Sequence, residues 1–261
     1  MHGKMALKVC AHIVAVAFLL GNVQQATADL LTVQNHSFEA DFAADGTFPT
    51  FTPTGWQTYD PFGLLPLSGN AVGVLNPNGT TFFPGGAPDG DNVALIFLED
   101  SYDQGPVGLT QVLTDTLQAN THYSLEVEVG NIASGTGLPP FDTFGFYDLD
   151  GFPGYQVQLL AGGVVLAEDN NSLFGSIAEG TFESTTVEFT TGSTHAQLGQ
   201  ALEIRLINRN ETDTAEDPGI EVDFDNVRLN ATAVPEPGTF ASVVVLVLGL
   251  TYCSIRARRK C

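Results

Sequence analysis

Between Asp29 and Glu236 the chain has no cysteine and no lysine, and its only arginines there are Arg205, Arg209 and Arg228. The three cysteines, Cys10, Cys253 and Cys261, all lie in the terminal segments. This excludes a disulfide framework and thiolate metal sites for the middle of the chain, which must be held by an apolar core. The lack of cations sets the field. All 30 acidic residues fall in the same stretch. Such a surface repels nucleic acid and anionic lipid, keeps the protein soluble, and suits divalent cations. Histidine is sparse as well: His36, His122 and His195 show no H-x-x-x-H or H-E-x-x-H spacing, which argues against zinc. There is no G-x-S-x-G elbow, P-loop or dinucleotide fingerprint.

Helical periodicity is missing from the middle too; the pattern there is period two. Tyr123, Leu125, Val127 and Val129 alternate with Ser124, Glu126 and Glu128, as in a half-buried strand. Leu202, Ile204 and Leu206 alternate with Glu203 and Arg205, and Val187 and Phe189 bracket Glu188. Val93, Leu95 and Phe97 mark another strand, and Val222 and Phe224 the last. "YQVQLLAGGVVLAED" reads as a hairpin turning at Gly162-Gly163. This spacing, with Gly, Pro, Asn and Asp clusters between strands, predicts an all-β antiparallel sandwich. Three long Gly- and Pro-rich stretches, 43–53, 61–91 and 133–153, read as loops at a sandwich edge, where function concentrates. Asp148 and Asp150 in the third hint at a calcium loop but lack EF-hand spacing, so it reads as an acidic loop.

The ends carry addresses. Lys4 and Lys8 precede an apolar run from Val9 to Leu20, and Ala26-Thr27-Ala28 supplies a small-x-small site. That order predicts a secretory signal peptide cut between Ala28 and Asp29; uncut, it would be an anchor. At the other end Val234, Pro235, Glu236 and Pro237 precede an apolar run from Phe240 to Ile255, and Arg256, Arg258, Arg259 and Lys260 follow. This three-part order resembles the PEP-CTERM sorting signal of exopolysaccharide-producing Gram-negative and related bacteria. The resemblance implies recognition by an exosortase, cleavage, and delivery to the cell surface or extracellular matrix. A helix over the apolar run rises about 24 Å, short of a hydrocarbon core near ~30 Å. The basic end would stay cytoplasmic, so the membrane is engaged through this helix before processing. Pro235 and Pro237 leave an extended, accessible peptide. An ordinary tail anchor is the alternative. The expected organisation is a signal peptide over 1–28, a sandwich over 29–232 and a sorting signal over 233–261.

Within the sandwich, "NHSFEADF" with Gly55-Trp56 opens the domain, "GLTQVL" and "LQANTHYSLEVEVG" lie in its middle, and "VDFDNVRL" closes it. Together these resemble galactose-binding-like jelly rolls, including carbohydrate-binding modules. In that family a glutamate of the first motif and an aspartate of the last bind calcium with backbone carbonyls, which is chemistry Ca²⁺ favours. The matching positions are Glu39 and Asp225; otherwise both are solvated surface acids. Trp56 would offer its ring face to a sugar, or else seal one end of the core. A narrower resemblance rests on "GFPGYQVQLLAGGVVLAEDN", "LGQALEIRLINRN" and "VDFDNVRL". These segments look like the Stig cyclases, exported, calcium-dependent jelly rolls that cyclise indole-isonitrile terpenoids in cyanobacteria. The resemblance implies an aspartate of the closing strand as proton donor, at Asp223 or Asp225, with Tyr102 and Phe152 as pocket aromatics. A carboxyl kept protonated by apolar neighbours can do such chemistry.

Two classes of function follow. One is an exported, non-catalytic surface or matrix protein that binds carbohydrate, exopolysaccharide included, with structural calcium. The alternative is a calcium-dependent, cyclase-like enzyme on the same fold.

Overall fold

The structure, a computed structural model, describes residues 28–67, 69–99, 104–211 and 220–234. By contact the chain divides into Asp29–Ala231 and a second unit of Met1–Ala28 with Thr232–Cys261. Nearly all of the second unit lies outside the described residues. So do the signal segment, Pro235, Glu236, Pro237 and the expected C-terminal helix. Among the described residues no helix is long and apolar enough to cross a membrane. Their helical content is a single 3-10 turn, Phe141–Phe144.

In chain order the strands are β1 (Ala28–Leu31), β2 (Gln57–Tyr59), β3 (Ala71–Leu75), β4 (Val93–Phe97), β5 (Val107–Thr116), β6 (Thr121–Asn131), β7 (Tyr155–Ala161), β8 (Val164–Asn170), β9 (Thr181–Thr190), β10 (Ala201–Asn208) and β11 (Glu221–Ala233). One sheet runs β3-β4-β11-β6-β9, with β1 also paired to β11. The other runs β2-β5-β10-β7-β8. Neighbours such as β6/β9, β5/β10 and β7/β10 are antiparallel. This is the all-β antiparallel sandwich expected from the period-two pattern.

The alternation decides which face each residue joins. Tyr123, Leu125, Val127 and Val129 of β6, Leu202, Ile204 and Leu206 of β10, and Val222 and Phe224 of β11 point inward into one core. The β7–β8 hairpin turns at Gly162-Gly163 as the sequence indicates. The sequence reading misses β1, β2, β3 and β5. β3 lies in a stretch taken for loop because AVGVL is continuously buried and shows no alternation.

The outer face of the β3-β4-β11-β6-β9 sheet is covered. Leu75, Phe82, Phe83, Val93, Leu95, Ile132, Leu149 and Ile220 form a second apolar cluster there, joined by Phe48 and Tyr147. The three long loops supply most of its cover, so they work as a third layer rather than as edge connections. Gly73 in β3 lets the first loop approach, since an added Cβ would come 2.5 Å from the Pro49 carbonyl oxygen. Thr50 bridges Gly73 from that loop. The third loop is closed at its neck by reciprocal backbone hydrogen bonds between Gly135 and Tyr147, at 3.0 and 2.7 Å. This third layer positions the site.

Candidate functional site

A cavity of about 350 Å³ lies between the outer sheet face and the loop layer. Leu75, Leu95 and Phe97 of β3 and β4 form its floor, and Phe48, Phe82, Phe144 and Tyr147 come from the loops. The aromatics brace one another: Phe48 lies 4.2 Å from Phe141, 5.5 Å from Tyr147 and 6.3 Å from Phe82, centroid to centroid. Phe144 lines the cavity yet leaves most of its ring in solvent. Two carboxylates join this apolar wall, Glu99 and Glu221. Glu99 is exposed; Glu221 is buried.

Glu221 belongs to a ladder of acids on β11. Because strand side chains alternate, Glu221, Asp223 and Asp225 share the face opposite the core residues Val222 and Phe224. In register Glu221 faces Phe97 and Asp223 faces Leu95, so apolar side chains of β4 flank both. Asp223 is 0% exposed, and neither of its carboxylate oxygens has a hydrogen-bond donor. Burial pushes its carboxyl well above the usual range, and the adjacent Glu221 pushes it further. Burial also raises Glu221, to about 7, although its contact with Asp223 pulls the other way. With both groups ionised this contact would have no proton in it. One shared proton supplies the missing donor, so the pair rests as an acid beside a carboxylate. The phenol of Tyr147 is raised by burial and then by the charges of Glu99 and Glu221, which places it in the same field.

Asp225, two residues on, sits in a different environment. Its Oδ2 accepts the Asp89 backbone N–H at 2.8 Å and its Oδ1 the Asn226 N–H at 2.6 Å. Burial raises its carboxyl to about 8; these N–H groups oppose the rise, and the charges of Asp89 and Glu39 add to it. Glu39 stands across the same 89–92 segment. Its Oε1 accepts the N–H groups of Asp91 and Asn92 at 2.8 and 2.6 Å. Gly90 makes the approach possible: with φ +82, a Cβ there would fall 2.5 Å from Glu39 Oε1. The two motif acids are thus brought to one segment, where their negative charges oppose each other without a cation. That donor set suits calcium, with backbone oxygens and water completing the shell. Among the described residues no three His, Cys, Asp or Glu side chains converge as a metal cluster.

The other sequence candidates fall elsewhere. Trp56 is 5% exposed, stacked on Phe38 at 5.6 Å, and its Nε1–H donates to the Asn35 carbonyl at 3.2 Å. Its place is in the core, the second of the two readings open to it. Phe152 also belongs to the main core, packed on Tyr155 at 6.3 Å rather than on the cavity wall. Its turn into the core follows from the loop re-entering β7 at that point. Tyr102 lies outside the described residues, as do Pro235, Glu236 and Pro237; Val234 is described and exposed. Ala28 and Asp29 are exposed residues of β1. The sequence reading missed Glu221, Glu99, Tyr147 and Phe48. For Glu221 the signal was present: it precedes Val222 and Asp223 in the alternation that marked the last strand.

Residues 29–230 match the HpiC1-like family, described as HpiC1 cyclase. Among solved structures, the Stig cyclase Fisc from Fischerella sp. TAU, in complex with (3Z)-3-(1-methyl-2-pyrrolidinylidene)-3H-indole, is 39% identical with a TM-score of 0.68. The match covers 80% of this chain and 100% of that one. A cyclase from Fischerella sp. TAU in complex with 4-(1H-Indol-3-yl)butan-2-one is also 39% identical, with TM-score 0.67 and the same coverage. No curated protein matches. A xylan-binding domain from Paenibacillus barcinonensis is far more distant, at 14% identity and TM-score 0.42. The family match and the two cyclase structures favour the cyclase-like alternative over the expected carbohydrate-binding module, and the chain belongs to the HpiC1-like family of Stig cyclases.

Proposed function

We propose that the protein is a cyclase that protonates an apolar, indole-bearing substrate and closes a ring through the cation so formed. The observation that carries this reading is the buried Glu221–Asp223 pair beside an aromatic cavity. A carboxyl whose burial favours its protonated form and that has no donors to stabilise its anion is suited to deliver a proton in a dry site. Aromatic faces such as Phe48, Phe97 and Tyr147 favour positive charge placed over them, by about 0.5–2 kcal/mol each. The cavity volume falls within the range that encloses a small organic ligand. The proton-donor role that the family resemblance left between two aspartates falls to Asp223. Both oxygens of Asp225 are engaged by backbone N–H groups beside Glu39.

Calcium belongs to the same proposal. Glu39 and Asp225 would hold it, and bound there it would neutralise the opposed carboxylates and pin the 89–92 segment. That segment continues from Phe82, Phe83 and Ala87 of the cavity layer. We further propose export, with cleavage between Ala28 and Asp29 and exosortase sorting at Val234–Pro237 to the surface or matrix. Mass spectrometry of the two mature ends tests it, and an intact Arg259-Lys260 terminus on the surface-exposed protein would sink the sorting step.

The function itself is tested by incubating the protein with an indole isonitrile that carries a terpenoid chain, in the presence of calcium. The expected product is a cyclised isomer of unchanged mass, abolished in Asp223→Asn. Substrate recovered unchanged from the wild type, with the fold intact by circular dichroism, would remove the cyclase reading.

A further inference from the structure

The geometry points to Glu221 as the proton acceptor that completes the cyclisation, a role distinct from the donor role of Asp223. The inference rests on the cyclase reading above. Cyclisation through a cation needs two proton transfers. Asp223 gives its proton to an alkene carbon, a C–H bond forms, and the neighbouring carbon becomes positive. The indole ring supplies the electron pair for the new C–C bond and takes over the charge. A ring C–H then breaks, its electron pair restores the aromatic ring, and its proton must find a base. The net change is an isomerisation, so no external acid, base or oxidant is consumed.

The base has to touch the cavity, be ionised at rest, and stand close enough to the donor to reset it. Glu221 lines the cavity, is 7% exposed, and lies on the same face of β11 as Asp223, two residues away. Its contact with Asp223 closes the cycle: the proton taken by Glu221 passes across the pair and restores the donor. The rival base is Glu99, which also lines the cavity but is solvent-exposed and lies two residues past the end of β4, beyond Phe97, the register partner of Glu221. Tyr147 is a phenol held protonated by burial first and then by the charges of Glu99 and Glu221, and cannot serve as the resting base.

Glu221→Gln keeps the shape and removes the acceptor. It is expected to lower kcat by about 100-fold or more, a typical loss for a general base, with KM within threefold. Deuterium at the ring carbon that loses its proton is expected to slow the variant markedly and the wild type little, since loss of that proton becomes limiting. Glu188→Gln, on the exposed side of β9 and outside the cavity lining, is expected to leave both quantities near the wild type. A Glu221→Gln enzyme within threefold of wild type and without the isotope effect would overturn the assignment, as would finding both effects in Glu99→Gln instead. Asp223→Asn separates the two levels: if it abolishes turnover while Glu221→Gln does not, this inference fails and the cyclase reading stands. A second measurement is independent of turnover and of any folding loss in the variants. In protein labelled with ¹³C at the glutamate carboxyl, 4-(1H-indol-3-yl)butan-2-one is expected to move the resonance that Glu221→Gln removes; no movement of it on saturation would contradict the placement.

Discussion

Two buried aspartates, Asp169 at 8% exposure and Asp223 at 0%, have opposite characters. Asp169, on the edge strand β8, accepts hydrogen bonds from the hydroxyls of Tyr155 and Thr185 and from the hydroxyl and N–H of Ser172, the latter two at 2.9 and 3.0 Å. Burial alone would raise its carboxyl, yet these donors bring it below the ordinary range. Asp223, on the central strand β11, has no donor at all and rises well above that range. Burial sets the scale of the effect, and the donors set its sign. Asp169 therefore acts as a joint: it ties β7 and β8 of one sheet to Thr185 on β9 of the other. Asp223, opposite Leu95 of β4 and beside Glu221 of the cavity wall, is on the proposed reading a proton store.

Exchanging each carboxylate for its amide tests that contrast most strongly. Asp223→Asn is expected to lower cyclisation by about 1,000-fold or more, while its melting temperature stays level or rises, because a neutral amide whose N–H can donate to Glu221 replaces a buried acid that no donor reaches. A fall of several degrees by calorimetry would mean that Asp223 is structural after all. Asp169→Asn is expected to do the reverse, costing about 3 kcal/mol in denaturant unfolding as four donors lose their charged acceptor. Its kcat is expected to change little.

The pH dependence separates the two regions next. For Glu221 the folded value, about 7, exceeds the ordinary 4.5, so the folded state holds the proton more tightly than the unfolded chain. Its contribution is full below pH 4.5 and is lost as pH rises to about 7. Asp169 runs the other way: its folded value is lowered, so its stabilisation is present above the ordinary aspartate range and fades as pH falls through the folded value. Unfolding titrations at fixed temperature are expected to show a decline of about 3 kcal/mol from the first source, flattened in Glu221→Gln. An unchanged slope in that variant would place the decline elsewhere. Calcium is expected to raise the melting temperature of the wild type and not that of Glu39→Gln; equal shifts in both would move the metal away from Glu39. The smallest effect is expected from Trp56→Phe, about 1 kcal/mol from the lost bond to the Asn35 carbonyl, with cyclisation unchanged. Loss of polysaccharide retention in that variant would revive a sugar-binding role.

The sandwich was legible because its strands bury one face, and alternation such as Tyr123 to Val129 records that directly. β3 was not, because a strand covered on both faces loses the alternation. The acids of β11 were visible as residues, and Glu39 with Asp225 was found as a motif pair meeting at one segment. What the sequence hides is the loop layer. Nothing in the Gly- and Pro-rich stretches marks Phe48, Phe82 and Tyr147 as neighbours, since contacts between distant loops leave no periodic trace. For the same reason Phe152 and Trp56, large aromatics beside suggestive motifs, were candidates for a site and lie in the core. Proposing Asp223 over Asp225 as the donor required knowing which of them backbone N–H groups reach.

The most direct test of the proton store is a ¹³C NMR titration of protein labelled at the aspartate carboxyl carbon, with the two signals assigned through Asp223→Asn and Asp169→Asn. The expected result is an Asp223 carboxyl still protonated at neutral pH while Asp169 is already ionised under acidic conditions where ordinary aspartates are protonated. Ionisation of Asp223 in the ordinary aspartate range, alongside the surface residues, would contradict the account.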